Sequence, residues 1–186
     1  MSAAITQPPR KRFTRSDVDQ MLDSGIFAGQ RFELIDGDLI DKMGQNPPHA
    51  TAIKRCMKEL IKTFGIDLIR VQLPMEAGAV DRERSVPEPD LAVLMAEKPD
   101  FGRRHPSGSE LRLVVEVSDT TARYESTTKR DIYARAGVPE YWVLDLNNRR
   151  VLAHRELDIP KAEYLSIQSY GETETVSGIT VSSILP

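Results

Sequence analysis

Apolar residues recur at every second position through residues 111–118. Leu111, Leu113, Val115 and Val117 fall on one face of a predicted strand, and Arg112, Val114, Glu116 and Ser118 on the other. A strand this rich in β-branched residues reads as central and covered on both sides. That places the Glu116 carboxylate where an unpaired charge costs several kcal/mol.

The same reading orders the rest of the chain. Thr14 or Ser16 caps a predicted helix with an inward stripe of Val18, Met21 and Leu22, closed by Gly25. "RFELIDGDLI" predicts a hairpin, because Asp36-Gly37 between two apolar runs favours a tight turn. Within its first strand Arg31, Glu33 and Ile35 share a face. "NPPHATAIKRCMKELIKTFG" predicts a helix that ends at Gly65 and buries Ile53, Cys56, Met57, Leu60, Ile61 and Phe64, with His49 opening the stripe. "DLIRVQLPM" and "PDLAVLM" predict strands, the second with Asp90, Ala92 and Leu94 on one face. A third helix runs from near Thr120 to Gly137, with Ala122, Glu125, Lys129, Ile132, Tyr133 and Ala136 inward. A hairpin turning at Asn147-Asn148 follows, and short strands near 163–169, 172–176 and 179–182 end the chain. The expected fold is α+β: a mixed sheet flanked by two main helices, with no regular βαβ repetition.

Composition narrows the function classes. The chain has 186 residues, 40% of them hydrophobic and 28% charged, which suits one domain with a core of its own. Residues 1–12 are polar and carry "RKR", predicting a flexible basic arm ahead of a single domain over 13–186. The net charge of −3 argues against a protein that coats nucleic acid nonspecifically, although an acidic site can meet nucleic acid through a bound cation. One cysteine, Cys56, excludes an internal disulfide framework, and its place in an apolar stripe predicts a buried thiol. The first residues have no apolar signal segment, and no run approaches the roughly 20 apolar residues that span a bilayer. A cytoplasmic protein without membrane contact is expected.

Three carboxylates stand out: Glu33, Asp90 and Glu116. Each sits on or beside a strand, opposite an unbroken apolar row. Hard oxygen ligands converging in this way suit Mg²⁺ or Mn²⁺, which lower the pKa of bound water and polarise a phosphoryl oxygen. Lys129 lies on the apolar face of its helix, where a lysine is seldom found without a partner. It either reaches Glu116 across the sheet or pairs with Glu125 four residues earlier.

These segments resemble a known family. "VPEPDLAVL", "LVVEVSDTT", a lysine-bearing helix and "YARAGVPEYWVLDL" occur in the order seen in the Uma2 family of bacterial endonucleases, part of the PD-(D/E)XK superfamily of restriction-like nucleases. The likeness extends upstream through "RFELIDGDLI" and "PPHATAI", so it covers about residues 13 to 150, and "AGVPEYWVLDL" is its most specific segment. It implies a restriction-endonuclease-like core, with Asp90 of Pro89-Asp90 and Glu116 as ligands of Mg²⁺ or Mn²⁺ and Glu33 completing the acidic cluster. In the classical pattern a lysine stands two residues after the second acid, whereas here that position is Ser118. Lys129 is the natural migrated replacement, expected to orient or deprotonate the attacking water. His49 matches the family's helix start, either as a contact to phosphate, a proton-transfer group or a hydrogen-bonded structural residue.

The expected activity is metal-dependent hydrolysis of phosphodiester bonds, with DNA as partner, and a homodimer would let two sites cut two strands. Three alternatives stand beside it. One is a noncatalytic nucleic-acid-binding or interaction module that retains the fold. A second is a toxin-like or mobile-element protein whose nuclease activity serves another system. The third reads the acids as structural ion pairs, with Arg112 beside Glu116 and Arg31 beside Glu33.

Overall fold

Thr14 rather than Ser16 begins the first helix, α1 (Arg15–Asp23). Its hydroxyl accepts from the Asp17 N–H while the Asp17 carboxylate accepts from the Thr14 N–H, a reciprocal cap. The computed structural model describes residues 10–42, 46–119 and 124–186. Most of the expected basic arm, and Thr120 and Ala122 at the expected start of the third helix, lie outside the described residues. Val18 is buried as expected, but Leu22 is half exposed. Arg12, assigned to the arm, donates to Asp38 Oδ2 at 2.6 Å and to the Asp36 carbonyl at 2.7 Å.

Asp36-Gly37 turns the hairpin of β1 (Phe32–Ile35) and β2 (Asp38–Asp41), with φ of +47° and +80°. The second angle suits glycine, and the Arg12 backbone lies so close that a Cβ on Gly37 would stand 3.2 Å from its Cα. Asn46 caps the long helix α2 (Pro47–Phe64) by accepting from the His49 N–H at 3.0 Å. Gly65 closes the helix, as the sequence predicts.

Among the described residues, six strands form the central sheet in chain order: β3 (Ile69–Val71), β4 (Leu91–Leu94), β5 (Leu111–Ser118), β6 (Tyr141–Asp145), β7 (Arg150–Asp158) and β8 (Glu163–Gly171). β5 and β6 run parallel, and the other neighbours are antiparallel. Of the third helix, the described part is a widened π turn over Glu125–Lys129 followed by α3 (Arg130–Ala136). The chain ends differently from expectation. A two-stranded hairpin of β9 (Thr175–Val176) and β10 (Ile179–Thr180) leads into a helical turn, α4 (Val181–Ile184), where a strand through residue 182 was expected.

The sheet is covered on both faces, as the apolar β5 requires. On one side Ala52, Ile53, Cys56 and Leu60 of α2 pack with Val181 and Ile184 against Leu113, Val115, Val117, Trp142 and Leu144. On the other, Tyr133 and Ala134 of α3 pack against Ala92, Leu94, Val114, Tyr141 and Val143. The alternation of β5 breaks at one point. Val93 pairs with Leu113 but Leu94 pairs with Leu111, so Arg112 is an extra residue that bulges out. Leu111 therefore joins the α3 side, away from Leu113. Arg112 is exposed and stacks over the Phe64 ring at 5.8 Å, and does not make the pair with Glu116 that the ion-pair alternative requires.

Candidate active site

Register brings the acids to one end of the sheet. Leu91 pairs with Val115, so Asp90, one residue before β4, stands across from Glu116. The β1 strand presents Glu33 from outside the sheet, opposite Ile40. Glu33, Asp90 and Glu116 are all buried, and so is Lys129 at 1% exposure.

Lys129 ties two of these acids together. Its ammonium lies 2.7 Å from Glu33 Oε1 and 2.8 Å from Glu116 Oε1, with Glu125 Oε2 at 3.6 Å. The expected alternative, a rim pair with Glu125, accounts only for the longest of these contacts. Burial alone would lower the lysine pKa, but the charges of Glu116, Glu33 and Glu125 outweigh it and hold the group well above its ordinary value. A held ammonium has no lone pair to accept a proton, so Lys129 is placed as a donor and not as a base.

Each acid has further fixed partners. Tyr133 donates its hydroxyl to the same Glu116 oxygen that meets Lys129. Glu33 turns its second oxygen to the Glu88 N–H at 3.1 Å, so both of its oxygens are engaged. Asp90 Oδ2 accepts from the Val117 N–H at 2.9 Å and lies 3.3 Å from His49 Nε2. His49 Nε2 also lies 3.0 Å from the Val117 carbonyl, which makes this nitrogen the donor. The imidazole thus braces Asp90 against β5, while its buried Nδ1 meets no partner among the described residues. Burial would raise the Asp90 carboxyl, but the His49 hydrogen bond and the Lys42 charge overcome it and bring the pKa to about 2. Asp90 is therefore ionised at neutral pH.

Two residues that the sequence reading passed over enter the site. Gln72 lies opposite Asp90 across the β3–β4 ladder and donates to Asp90 Oδ1 at 3.4 Å, from a backbone with φ +49°. That angle costs about 1 kcal/mol or more in a non-glycine residue and marks a position held by its surroundings. Lys42 donates to the Glu88 carbonyl at 2.8 Å and stands 3.9 Å from Asp90 Oδ1. The signal for Lys42 was present: it lies two residues beyond Ile40, which faces Glu33, so the period of two puts it on the same side. Arg31, which the ion-pair alternative sets beside Glu33, instead pairs with Glu88.

A bound cation would have to fit these side chains. Among the described residues, no three His, Cys, Asp or Glu side chains are arranged to hold a metal ion. Glu33 is committed to Lys129 and to the backbone, so it does not fit as a ligand in this arrangement. Asp90 and Glu116 remain, and two carboxylates with waters are a donor set that Mg²⁺ accepts. Asp90 Oδ1 is the better placed oxygen, because its contacts to Gln72 and Lys42 are long.

Comparisons with known proteins agree with this fold. Residues 16–183 match the model of the Uma2 family, described as "Putative restriction endonuclease". A crystal structure from Anabaena variabilis, described as "a putative nuclease belonging to DUF820", is similar with a TM-score of 0.60. The two chains are 13% identical, and the likeness covers 88% of this chain and 96% of that one. At that identity the likeness concerns the fold alone. No curated protein matches this chain. No helix among the described residues is long and apolar enough to cross a membrane.

Proposed function

The chain belongs to the Uma2 family, and we propose that it is a metal-dependent endonuclease that hydrolyses phosphodiester bonds in DNA. The observation that carries this reading is the buried lysine between two buried acids, beside a third acid held ionised. A fold built for stability alone gains little from such a cluster, since apolar residues of similar volume are often as stable. Mg²⁺ or Mn²⁺ would be held by Asp90 and Glu116. When bound, it would supply an acidified water and neutralise charge on the phosphate.

The chain's own side chains do the positioning. His49 and the Val117 N–H fix Asp90, while Lys129 and Tyr133 fix Glu116. Glu33 keeps the Lys129 ammonium over Glu116 and so serves the acidic cluster without being a ligand. Held in this way, the two ligand carboxylates need little reorganisation when the substrate arrives.

The experiment is a Mn²⁺-supported cleavage assay on mixed single-stranded and duplex DNA, with Asp90→Ala as control. Cleavage by the parent and none by the variant supports the reading. A parent that binds DNA yet cleaves none, with Asp90→Ala binding equally well, overturns it in favour of a noncatalytic nucleic-acid-binding module. One observation favours that second reading: Ser118 stands at the classical lysine position and lacks the charge.

A further inference from the structure

Two lysines approach the acidic cluster, and their surroundings differ. Lys129 has two short carboxylate acceptors, Glu33 Oε1 at 2.7 Å and Glu116 Oε1 at 2.8 Å, and is 1% exposed. Its charge is met by the protein. Lys42 has a 12% exposed side chain and, among the described residues, one short acceptor, the neutral carbonyl of Glu88 at 2.8 Å. Asp90 Oδ1, at 3.9 Å, is beyond hydrogen-bond reach. An ammonium has three donors, so Lys42, whose one short acceptor is a neutral carbonyl, retains capacity for an incoming anion, whereas the buried Lys129 is already met by two carboxylates.

Lys42 is also held in place. Its backbone N–H donates to the Arg31 carbonyl at 2.9 Å, closing the β1–β2 ladder one step past Asp41, and its side chain is anchored at Glu88, two residues before Asp90. A phosphodiester approaching the three acids meets a site that repels it, and a cation beside Asp90 reverses this locally.

Resting on the nuclease reading above, we propose that Lys42 is the substrate-facing cation of the acidic cluster. Its ammonium binds a non-bridging oxygen of the scissile phosphodiester beside Asp90. Lys129 is then a positioning residue for Glu116. Lys42 thus supplies the charge that Ser118 cannot.

The test compares the parent with Lys42→Met and Lys42→Arg. Binding of a fluorescent 20-base-pair duplex is followed by anisotropy across a salt series in Ca²⁺, and Mn²⁺ affinity is followed by calorimetry. Lys42→Met should weaken duplex binding about tenfold. It should also lower the slope of log K against log salt by about 0.9, the loss of one phosphate contact. Mn²⁺ affinity should hold or rise, because a cation beside Asp90 has been removed. Lys42→Arg should retain the parental slope. Parental duplex binding and slope in Lys42→Met, with a drop only in thermal stability, would make Lys42 a structural counter-ion and overturn the inference. A parent that binds no duplex at all would overturn the nuclease reading and this inference with it, whereas a normal parent beside an unaffected Lys42→Met overturns the inference alone.

Discussion

The ammonium of Lys129 lies 2.8 Å from Glu116 Oε1, joining the layer of α3 to the middle of the sheet through a fully buried pair. Removing one partner of such a pair leaves the other charge stranded in a medium that solvates it poorly. Lys129→Met should therefore lower stability by about 3–5 kcal/mol, read from urea unfolding at pH 7. Adding Glu116→Gln to Lys129→Met should return part of the loss, since the coupled pair is then removed together. A single variant within about 1 kcal/mol of the parent would show that the charges are not coupled in solution.

Glu125 governs a pH dependence. Burial raises its carboxyl from 4.5 to about 8, the neighbouring Lys129 opposing, and its Oε2 has no hydrogen-bond partner among the described residues. In the folded chain this acid keeps a proton that the unfolded chain has lost. The contribution is fully present below about pH 4.5 and declines as the pH rises toward about 8. Glu125→Gln keeps the neutral shape at every pH. Its stability should fall less than the parent's between pH 5 and pH 8, by about 1 kcal/mol or more. Parallel stability curves for the two proteins would contradict this.

Gly108 lies against the end of α3. A Cβ built on it would stand 2.4 Å from the Ala136 carbonyl oxygen, a backbone atom that cannot swing aside. Gly108→Ala should push the helix that carries Tyr133 off the sheet and cost about 1–3 kcal/mol. Amide exchange along residues 130–136 should accelerate with it. Unchanged exchange and stability would mean that the loop yields and the helix stays.

Cys56 is sealed in the core between α2 and the sheet, and burial pushes its thiol up to about 12. A disulfide reagent at pH 8 should label it only as fast as the protein opens, with a rate that rises steeply in urea. Rapid labelling of the native protein would place the thiol within reach of solvent.

Much of the fold was legible because its signals are local. The Gly65 stop, the Asp36-Gly37 turn and the α2 stripe depend on residues a few positions apart; the stop and the turn stand where the sequence puts them, and of the stripe Ile53, Cys56 and Leu60 are buried while Met57, Ile61 and Phe64 are only partly covered. The inward register of Lys129 was legible too, since its neighbours Ile132 and Tyr133 mark the buried face. The Arg112 bulge was not legible. A period of two assumes an unbroken ladder, and only the pairing of Leu94 with Leu111 reveals the extra residue. The shortened last strand has a similar cause: Val181, Ile184 and Leu185 are apolar enough for either state, and packing against α2 decided for helix from Val181.

For the site, the sequence by itself determined which side chains carry charge into the interior: Glu116 on a strand covered on both faces, Asp90 just ahead of the preceding strand, and Lys129 on an apolar helical face. Only the tertiary structure decided their partners. Glu33 faces Lys129 across nearly a hundred residues of chain, His49 braces Asp90 from α2, and Lys42 comes within 3.9 Å of Asp90 from the end of a hairpin. Periodicity is set by a residue's nearest neighbours and can state which way a side chain points. What it meets there depends on how sheet register and two packed layers close around it, and that is a property of the whole fold.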